Sequence, residues 1–472
     1  MNVSTIVKVI LLIVCFLCVE SCKDEDVLST IDYTTIQTIS YTQHVQPIFQ
    51  QRCAGSGCHS AASQAGGLSL ESWNGAIKGS TYGEVIIPKR PEKSLLTKLF
   101  DGTTLRKPHP ATGTTAITSG EITFLKRWIT EGAKNDAGIM PFEHSSRKVY
   151  VPNQGEDNVA IIDMDSLVVT RYIPVGRYSA IEGPHFIVAN EHFWYVSLIS
   201  AGEVWKYDAH TDTMVSRVSV QGAPALLALT PDGSKLYVSQ FMTSSTNKIT
   251  VINTSTMSVK TTINVWTMPH GIRMTHDGSK VFVANMMSDN LSVVDVAADT
   301  VIQTVSLAYD VNPFGPTKYA PMEVAVSPND SIVLVTCSEN EEVRMFDAYT
   351  YELLDSIPVG EQPWHLQFTP DGNFCYVSNR EGNSVSMIHL PMRHVMETIT
   401  ANSPRYFDYP HGCDISSDGR YVFISNENAT PGYVPRYSID NIGNVCVIDA
   451  SLNQIIKVLE VGKMPTGLCV SQ

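Results

Sequence analysis

The chain has 472 residues, of which 43% are hydrophobic and 17% charged, enough apolar material to exclude general disorder and to build one small and one large domain. Its 33 Lys+Arg against 47 Asp+Glu leave a net charge of -14. That balance repels phosphate backbones and anionic membrane surfaces, so no nucleic acid is expected among its partners.

Lys8 precedes the apolar run Ile10 to Val19, which is too short to span a bilayer and has the length of a signal-peptide core. The run closes on Val19-Glu20-Ser21-Cys22 and switches at once to the acidic Lys23-Asp24-Glu25-Asp26. This junction resembles a bacterial lipobox, with Glu20 an unusual middle residue. The resemblance implies cleavage before Cys22, acylation of its thiol and membrane anchoring through that lipid. The acidic tract resembles the tag that sends some lipoproteins to the outside of the outer membrane; a periplasm-facing anchor is the alternative. Residues 1–21 are thus expected to be a lipoprotein signal peptide and 22–39 an acidic tether.

Residues 40–136 form the first folded unit. A stretch from Tyr41 to Gln51 puts Val45, Ile48 and Phe49 on one helical face and leads directly into Cys53-Ala-Gly-Ser-Gly-Cys58-His59. Two thiols followed at once by a histidine is what c-type haem attachment needs: the thiols add to the porphyrin vinyl groups and the imidazole takes the iron. The spacing is four residues where two is usual, and the small residues between leave room for a wider loop. A Cys53–Cys58 disulfide and a zinc site with His59 are the competing readings.

The segments Gly66 to Trp73, Val85-Ile86-Ile87-Pro88, Pro91 to Leu96 and Ser119 to Ala133 follow in an order that resembles the planctomycete-type cytochrome c domain. In the last of these, Ile122, Leu125, Trp128 and Ile129 share one helical face. The resemblance implies a small all-α haem domain with one haem c bound through Cys53 and Cys58 and with His59 as the proximal iron ligand. Family members usually supply a distal methionine before the last helix, but no methionine occurs between residues 2 and 139. At that place stands Leu105-Arg106-Lys107-Pro108-His109-Pro110. His109, stiffened by two prolines, is the expected distal ligand, ahead of Lys107 and of His44 or an open site.

After a linker at 137–147, residues 148–472 repeat. Asp232-Gly233, Asp277-Gly278 and Asp371-Gly372 each make a tight turn feeding an alternating strand. Seven prolines, Pro184, Pro224, Pro269, Pro321, Pro363, Pro410 and Pro465, open the first strand of seven units. Four-stranded units at this period predict an all-β seven-bladed propeller, its first blade completed by the C-terminal strand so that no edge is left open. Tyr150-Val151-Pro152-Asn153 and Tyr376-Val377-Ser378-Asn379, with the turns Ile173 to Gly176 and Ile357 to Gly360, resemble the YVTN family of bacterial propellers.

The residues just after the seven prolines are His185, Ala225, His270, Met322, Trp364, His411 and Thr466. At the entrance of the central channel, His185, His270, His411 and Met322 are expected to converge, whereas His365 points the other way if its strand is regular. Long connections at Tyr309–Tyr319 and Asn426–Asn441 fall on the same end, which suggests a binding mouth there. A metal or second cofactor at the mouth is one expectation, by analogy of layout with nitrous oxide reductase and haem-bearing nitrite reductases. The other is that each imidazole hydrogen-bonds a neighbouring blade.

The leading expectation is an exported electron-transfer lipoprotein, its propeller serving as platform for a redox partner protein or small-molecule donor or acceptor. A surface binding or scaffold protein without redox role, and an oxidoreductase acting at the propeller mouth, are the alternatives. No Ser-His-Asp arrangement or nucleotide-binding glycine loop stands out to name a reaction.

Overall fold

The computed structural model describes residues 31–471 except 55–57, 103–115, 178–179, 242–246, 308–315, 402–404 and 437. The expected lipid attachment at Cys22 and the distal-ligand candidates His109 and Lys107 lie outside the described residues.

In the small unit a single π-helical turn, Tyr41–Val45, begins where the Ser40 hydroxyl accepts the Gln43 amide and runs on into α1 (Gln46–Arg52). Short helices α2 (Trp73–Ile77) and α3 (Leu95–Asp101) follow. The last of these stops at Gly102, whose φ of 66° is left-handed. The closing helix α4 spans Ser119–Thr130 behind a capping box of Thr118 and Glu121. It buries Phe124, Leu125, Trp128 and Ile129 against Tyr41, Val45, Ile48 and Phe49. Ile122 of the expected stripe is only half-buried, and Phe124 does its work. Glu121 is buried as well, in an ion pair of 3.0 Å with Arg52 at the end of α1.

The rest of the chain is a seven-bladed β-propeller of four-stranded antiparallel sheets. The innermost strands of blades 2 to 7 are Pro184–Ala189, Ala223–Leu229, Pro269–Met274, Pro321–Val326, Pro363–Phe368 and Pro410–Ile415. Blade 1 (Lys148–Pro174) receives its innermost strand from Cys469–Val470. The ring therefore closes by pairing Cys469–Val470 with the first propeller strand at Val149 and Tyr150.

The Asp-Gly turns are built alike: Thr230, Thr275 and Thr369 donate their hydroxyls to Asp232, Asp277 and Asp371, while Gly233, Gly278 and Gly372 take φ near 70°. The strands that follow are not half-exposed, as alternation implied. They are buried along nearly their whole length, because each blade is covered on both faces by its neighbours. Exposure is concentrated in outermost strands such as Met214–Ser219.

Blade 1 departs from that pattern. Its outermost strand, Val168–Pro174, is largely buried because the helical unit packs on blades 1 and 7. Ile87 leaves the helical core and is fully buried among propeller residues that include Val149, Val169 and Leu459. Around it Lys93 pairs with Glu156 at 2.9 Å. Arg171 donates to the Phe142 carbonyl at 2.7 Å, and Lys457 to that of Ser80 at 3.0 Å.

Candidate functional site

Two places in the molecule concentrate metal- or cofactor-binding side chains. The first is the loop after α1. Cys53 caps that helix, its amide donating to the Phe49 carbonyl at 2.9 Å. The His59 amide then donates to the Cys53 carbonyl at 3.1 Å, and the His59 carbonyl accepts from Leu70 at 2.8 Å. These bonds close the loop on itself, so Cys53, Cys58 and His59 issue from one turn. Cys58 is exposed and the two cysteines are separate thiols. Burial pushes the Cys53 thiol up to about 12. A zinc site requires thiolates, so this environment disfavours zinc, while thioether formation leaves a neutral sulfur that tolerates burial. Among the described residues no group of three or more His, Cys, Asp or Glu is arranged to hold a metal ion. The donor set therefore fits a covalently attached haem better than a metal ion alone. His44 stands apart from this loop, its Nδ1 accepting the Ser40 amide at 2.9 Å.

The second place is the axis of the propeller. Pairing between first and second strands shifts register just after the proline in blades 2 to 7. The shift gives the channel two successive layers. One holds the residues directly after each proline; the next contains Phe186, Leu226, Glu323 and His365.

A bulge of this kind strands an amide, and a second-strand hydroxyl repairs it. Ser197, Ser239, Thr336, Ser378 and Ser425 accept from the amides of Phe186, Leu226, Glu323, His365 and Gly412. Four of these hydroxyls also donate to the next blade: Ser197 to Ala225, Thr336 to Trp364, Ser378 to His411 and Ser425 to Thr466, always at the carbonyl after the proline. Thr466 in turn donates to His185 of blade 2 at 2.8 Å. Blade 4 has Ala284 where the hydroxyl should be, and there the His270 ring Nδ1 donates to the Met322 carbonyl of blade 5 at 2.8 Å.

His185, His270 and His411 do converge, with ring centroids 6.2 Å apart for His185–His270 and 5.5 Å for His185–His411. His365 corrects the regular-strand expectation. The bulge turns it into the channel, 4.9 Å from His411 and stacked on Phe186. The four histidines are 7, 1, 3 and 3% exposed in chain order, so they fill the channel as a plug and do not line an open mouth. Met322 is buried too and offers its carbonyl to His270.

Desolvation holds the imidazoles neutral: His185 falls to about 3, His270 to about 4, and His365 and His411 well below the ordinary value. Burial raises Glu323, 3.4 Å from His365 Nδ1, to about 7 against the opposing pull of Arg273. The open cavity lies at the other end of the channel, where the innermost strands finish. It measures about 510 Å³ and is lined in part by Arg273, Gln367, Asp414 and Cys469.

Residues 56–101 match the Planctomycete cytochrome C family, 138–316 the Cytochrome D1 heme domain and 273–398 the Choice-of-anchor I domain. Two of the three are cytochrome families. The first match takes in Cys58 and His59 and begins after Cys53, and the second spans His185 and His270.

Among curated proteins, Antigen Lp49 of Leptospira interrogans is 28% identical over 123 residues, which are 25% of each chain. A 6-phosphogluconolactonase of Yersinia pestis is 25% identical over 123 residues, covering 23% of this chain and 37% of that one. The chain thus spans only 25% and 37% of the length of these relatives. A functionally unknown protein from Desulfotomaculum acetoxidans, solved by crystallography, superposes with a TM-score of 0.55 at 12% identity, over 69% of this chain and 99% of the other. That likeness concerns fold alone.

Motif reasoning singled out Cys53, Cys58 and His59 because they lie in one short stretch. It missed His365, Glu323 and Arg273. The signal lay in the recurring Ser or Thr of the second strands, a hydroxyl in an otherwise apolar run that only a stranded amide explains.

Proposed function

We propose that the chain is an electron-transfer protein carrying one haem c, with the propeller as the platform that binds its redox partner. The observation that carries this reading is the closed loop in which Cys53, Cys58 and His59 emerge together. Cys53 and Cys58 would hold the group by thioether bonds, and His59 and His109 would be the residues that ligate its iron. The haem supplies one-electron exchange when bound. The protein's own part is positioning: the Arg52–Glu121 pair fixes the end of α1 against α4, and Ile87 fixes the small domain on the propeller. Domain and platform then act as one body toward a partner.

A reduced pyridine haemochrome spectrum of protein matured with the c-type machinery tests this. About one covalent haem per chain is expected, lost in Cys53→Ala/Cys58→Ala; equal haem in the two proteins, or none in either, rejects it. Ligation by His109 predicts a low-spin spectrum without the far-red methionine-to-iron band.

Export and anchoring complete the proposal. Acylation at Cys22 would tether the protein to the outer membrane, and Lys23 to Asp26 would place it on the cell surface. Protease shaving of intact cells is expected to release the propeller, and full protection would put the protein on the periplasmic side.

A further inference from the structure

We propose that the open cavity where the innermost strands finish binds a small monocarboxylic acid with an apolar body, its carboxylate held by Arg273, a site independent of the haem loop. Beyond the bulge the strands resume their period of two, so the residues four places after the prolines face the axis, next to the layer of Phe186, Leu226, Glu323 and His365. Six of these seven residues line the cavity. Val188, Ala228 and Cys469, from blades 2, 3 and 1, make an apolar arc. Arg273, Gln367 and Asp414, from blades 4, 6 and 7, make a polar one.

Within the polar arc, Arg273 is the group whose bonding capacity is left over. Asp414 accepts the amides of Ile415 and Val470, each at 2.8 Å, and the side chain of Gln367 at 2.9 Å. Those bonds tie carboxylate and amide to their own wall. The Arg273 guanidinium has, among the described residues, a single hydrogen bond, from Nε to the Val324 carbonyl at 3.3 Å. Its partner carboxylate, Glu323, stands 3.8 Å from Nη2, beyond hydrogen-bond reach. A guanidinium carries five N–H donors in a fixed fork, so both terminal nitrogens keep donors for something else. On a convex surface water would take them. Here they stand in a hollow with an apolar wall, the combination of a few polar groups and hydrocarbon that marks a ligand site.

The class of ligand follows from charge and shape. The planar fork matches a carboxylate, which it can hold by two parallel bonds. Asp414 in the same cavity and Glu323 beside the guanidinium oppose a second negative charge, which disfavours phosphate dianions and dicarboxylates. The apolar arc gives no partner to a ring of hydroxyls and gains from covering hydrocarbon. The volume of about 510 Å³ is ordinary for a small-molecule site.

The test is calorimetric titration of the full-length chain with 3-phenylpropanoate, beside the neutral 3-phenylpropanamide and inorganic phosphate. Saturable binding of one carboxylate per chain is expected, about 10- to 100-fold tighter than the amide because the bonds from Arg273 are charge-assisted. Phosphate at equal concentration should not displace it. Arg273→Gln should bring the carboxylate down to the affinity of the amide. Ala228→Phe, which fills the apolar arc and leaves Arg273 in place, should weaken both ligands at least 10-fold. Absent binding, or equal affinity for carboxylate and amide, overturns the proposal in the unaltered chain, where misfolding of a variant has no bearing. Unchanged binding in either variant overturns the site, and displacement by phosphate overturns the choice of class. None of these outcomes depends on whether haem is attached.

Discussion

The cytochrome loop and the axial histidine plug are both sets of imidazole and sulfur or carboxyl groups, yet they are assembled and held in opposite ways. The loop takes Cys53, Cys58 and His59 from one turn and is steadied by its own backbone hydrogen bonds and by the buried Arg52–Glu121 ion pair beside it. The plug takes His185, His270, His365 and His411 from four blades and is steadied by hydroxyl and imidazole links that pass from blade to blade. A site made locally depends on a few strong contacts near it. One made by a ring spreads the load, and no single link decides it.

The largest expected difference between them is in acid. A histidine whose folded pKa is depressed binds its proton more weakly when folded. Its neutral state therefore stabilises the fold fully above about 6.5, and that contribution is lost as pH falls toward about 3 to 4 for His185 and His270. Four such groups should remove several kcal/mol between pH 6.5 and 4. Glu323, raised to about 7, works in the opposite sense: its contribution is complete below about 4.5 and fades as pH rises to about 7. Melting temperature against pH should fall steeply on the acid side for the wild type and less steeply for His185→Gln/His411→Gln. Parallel curves would show that the imidazoles are not held neutral.

Next in size is Arg52→Ala. It leaves Glu121 buried and charged without its partner and should cost about 3–5 kcal/mol, confined to the helical domain. Proteolysis near α1 and α4 should rise sharply while the propeller melt stays in place. A loss shared by both domains would mean that they fold as one cooperative unit.

Ser378→Ala probes the ring at one link. The hydroxyl serves the His365 amide at 3.0 Å and the His411 carbonyl at 2.7 Å, so its removal should cost about 1–3 kcal/mol and shift both rings. Blade 4 already carries Ala284 at this position and compensates with His270. His270→Phe should therefore resemble Ser378→Ala in size, as measured by chemical denaturation.

These residues also show what was legible beforehand. Strand count, blade count and ring closure followed from prolines and Asp-Gly turns, because those residues fix φ locally, the proline in every repeat and the Asp-Gly turn in several. Cys53, Cys58 and His59 could be singled out for a similar reason: they sit within seven consecutive residues. The second channel layer was not. A register shift of one residue reverses the face a side chain takes, and period-two reasoning sent His365 away from the axis. Nor could the docking of Ile87 be foreseen, since Val85-Ile86-Ile87 reads as one apolar run whose third member turns out to belong to another domain's core.

The smallest expected effect sits at that junction. Lys93 and Glu156 meet at 2.9 Å but both keep some contact with solvent, so Lys93→Ala should cost only about 0.2–1 kcal/mol and should do less in high salt. Ile87→Ala, in the dry centre of the same contact, should cost about 2–5 kcal/mol. If hydrogen exchange at Val168–Pro174 rises for Ile87→Ala and stays put for Lys93→Ala, the apolar contact holds the haem domain on blade 1. If the order is reversed, the domains are held by charge and should part at high ionic strength, and propeller and helical domain would then no longer act as one body.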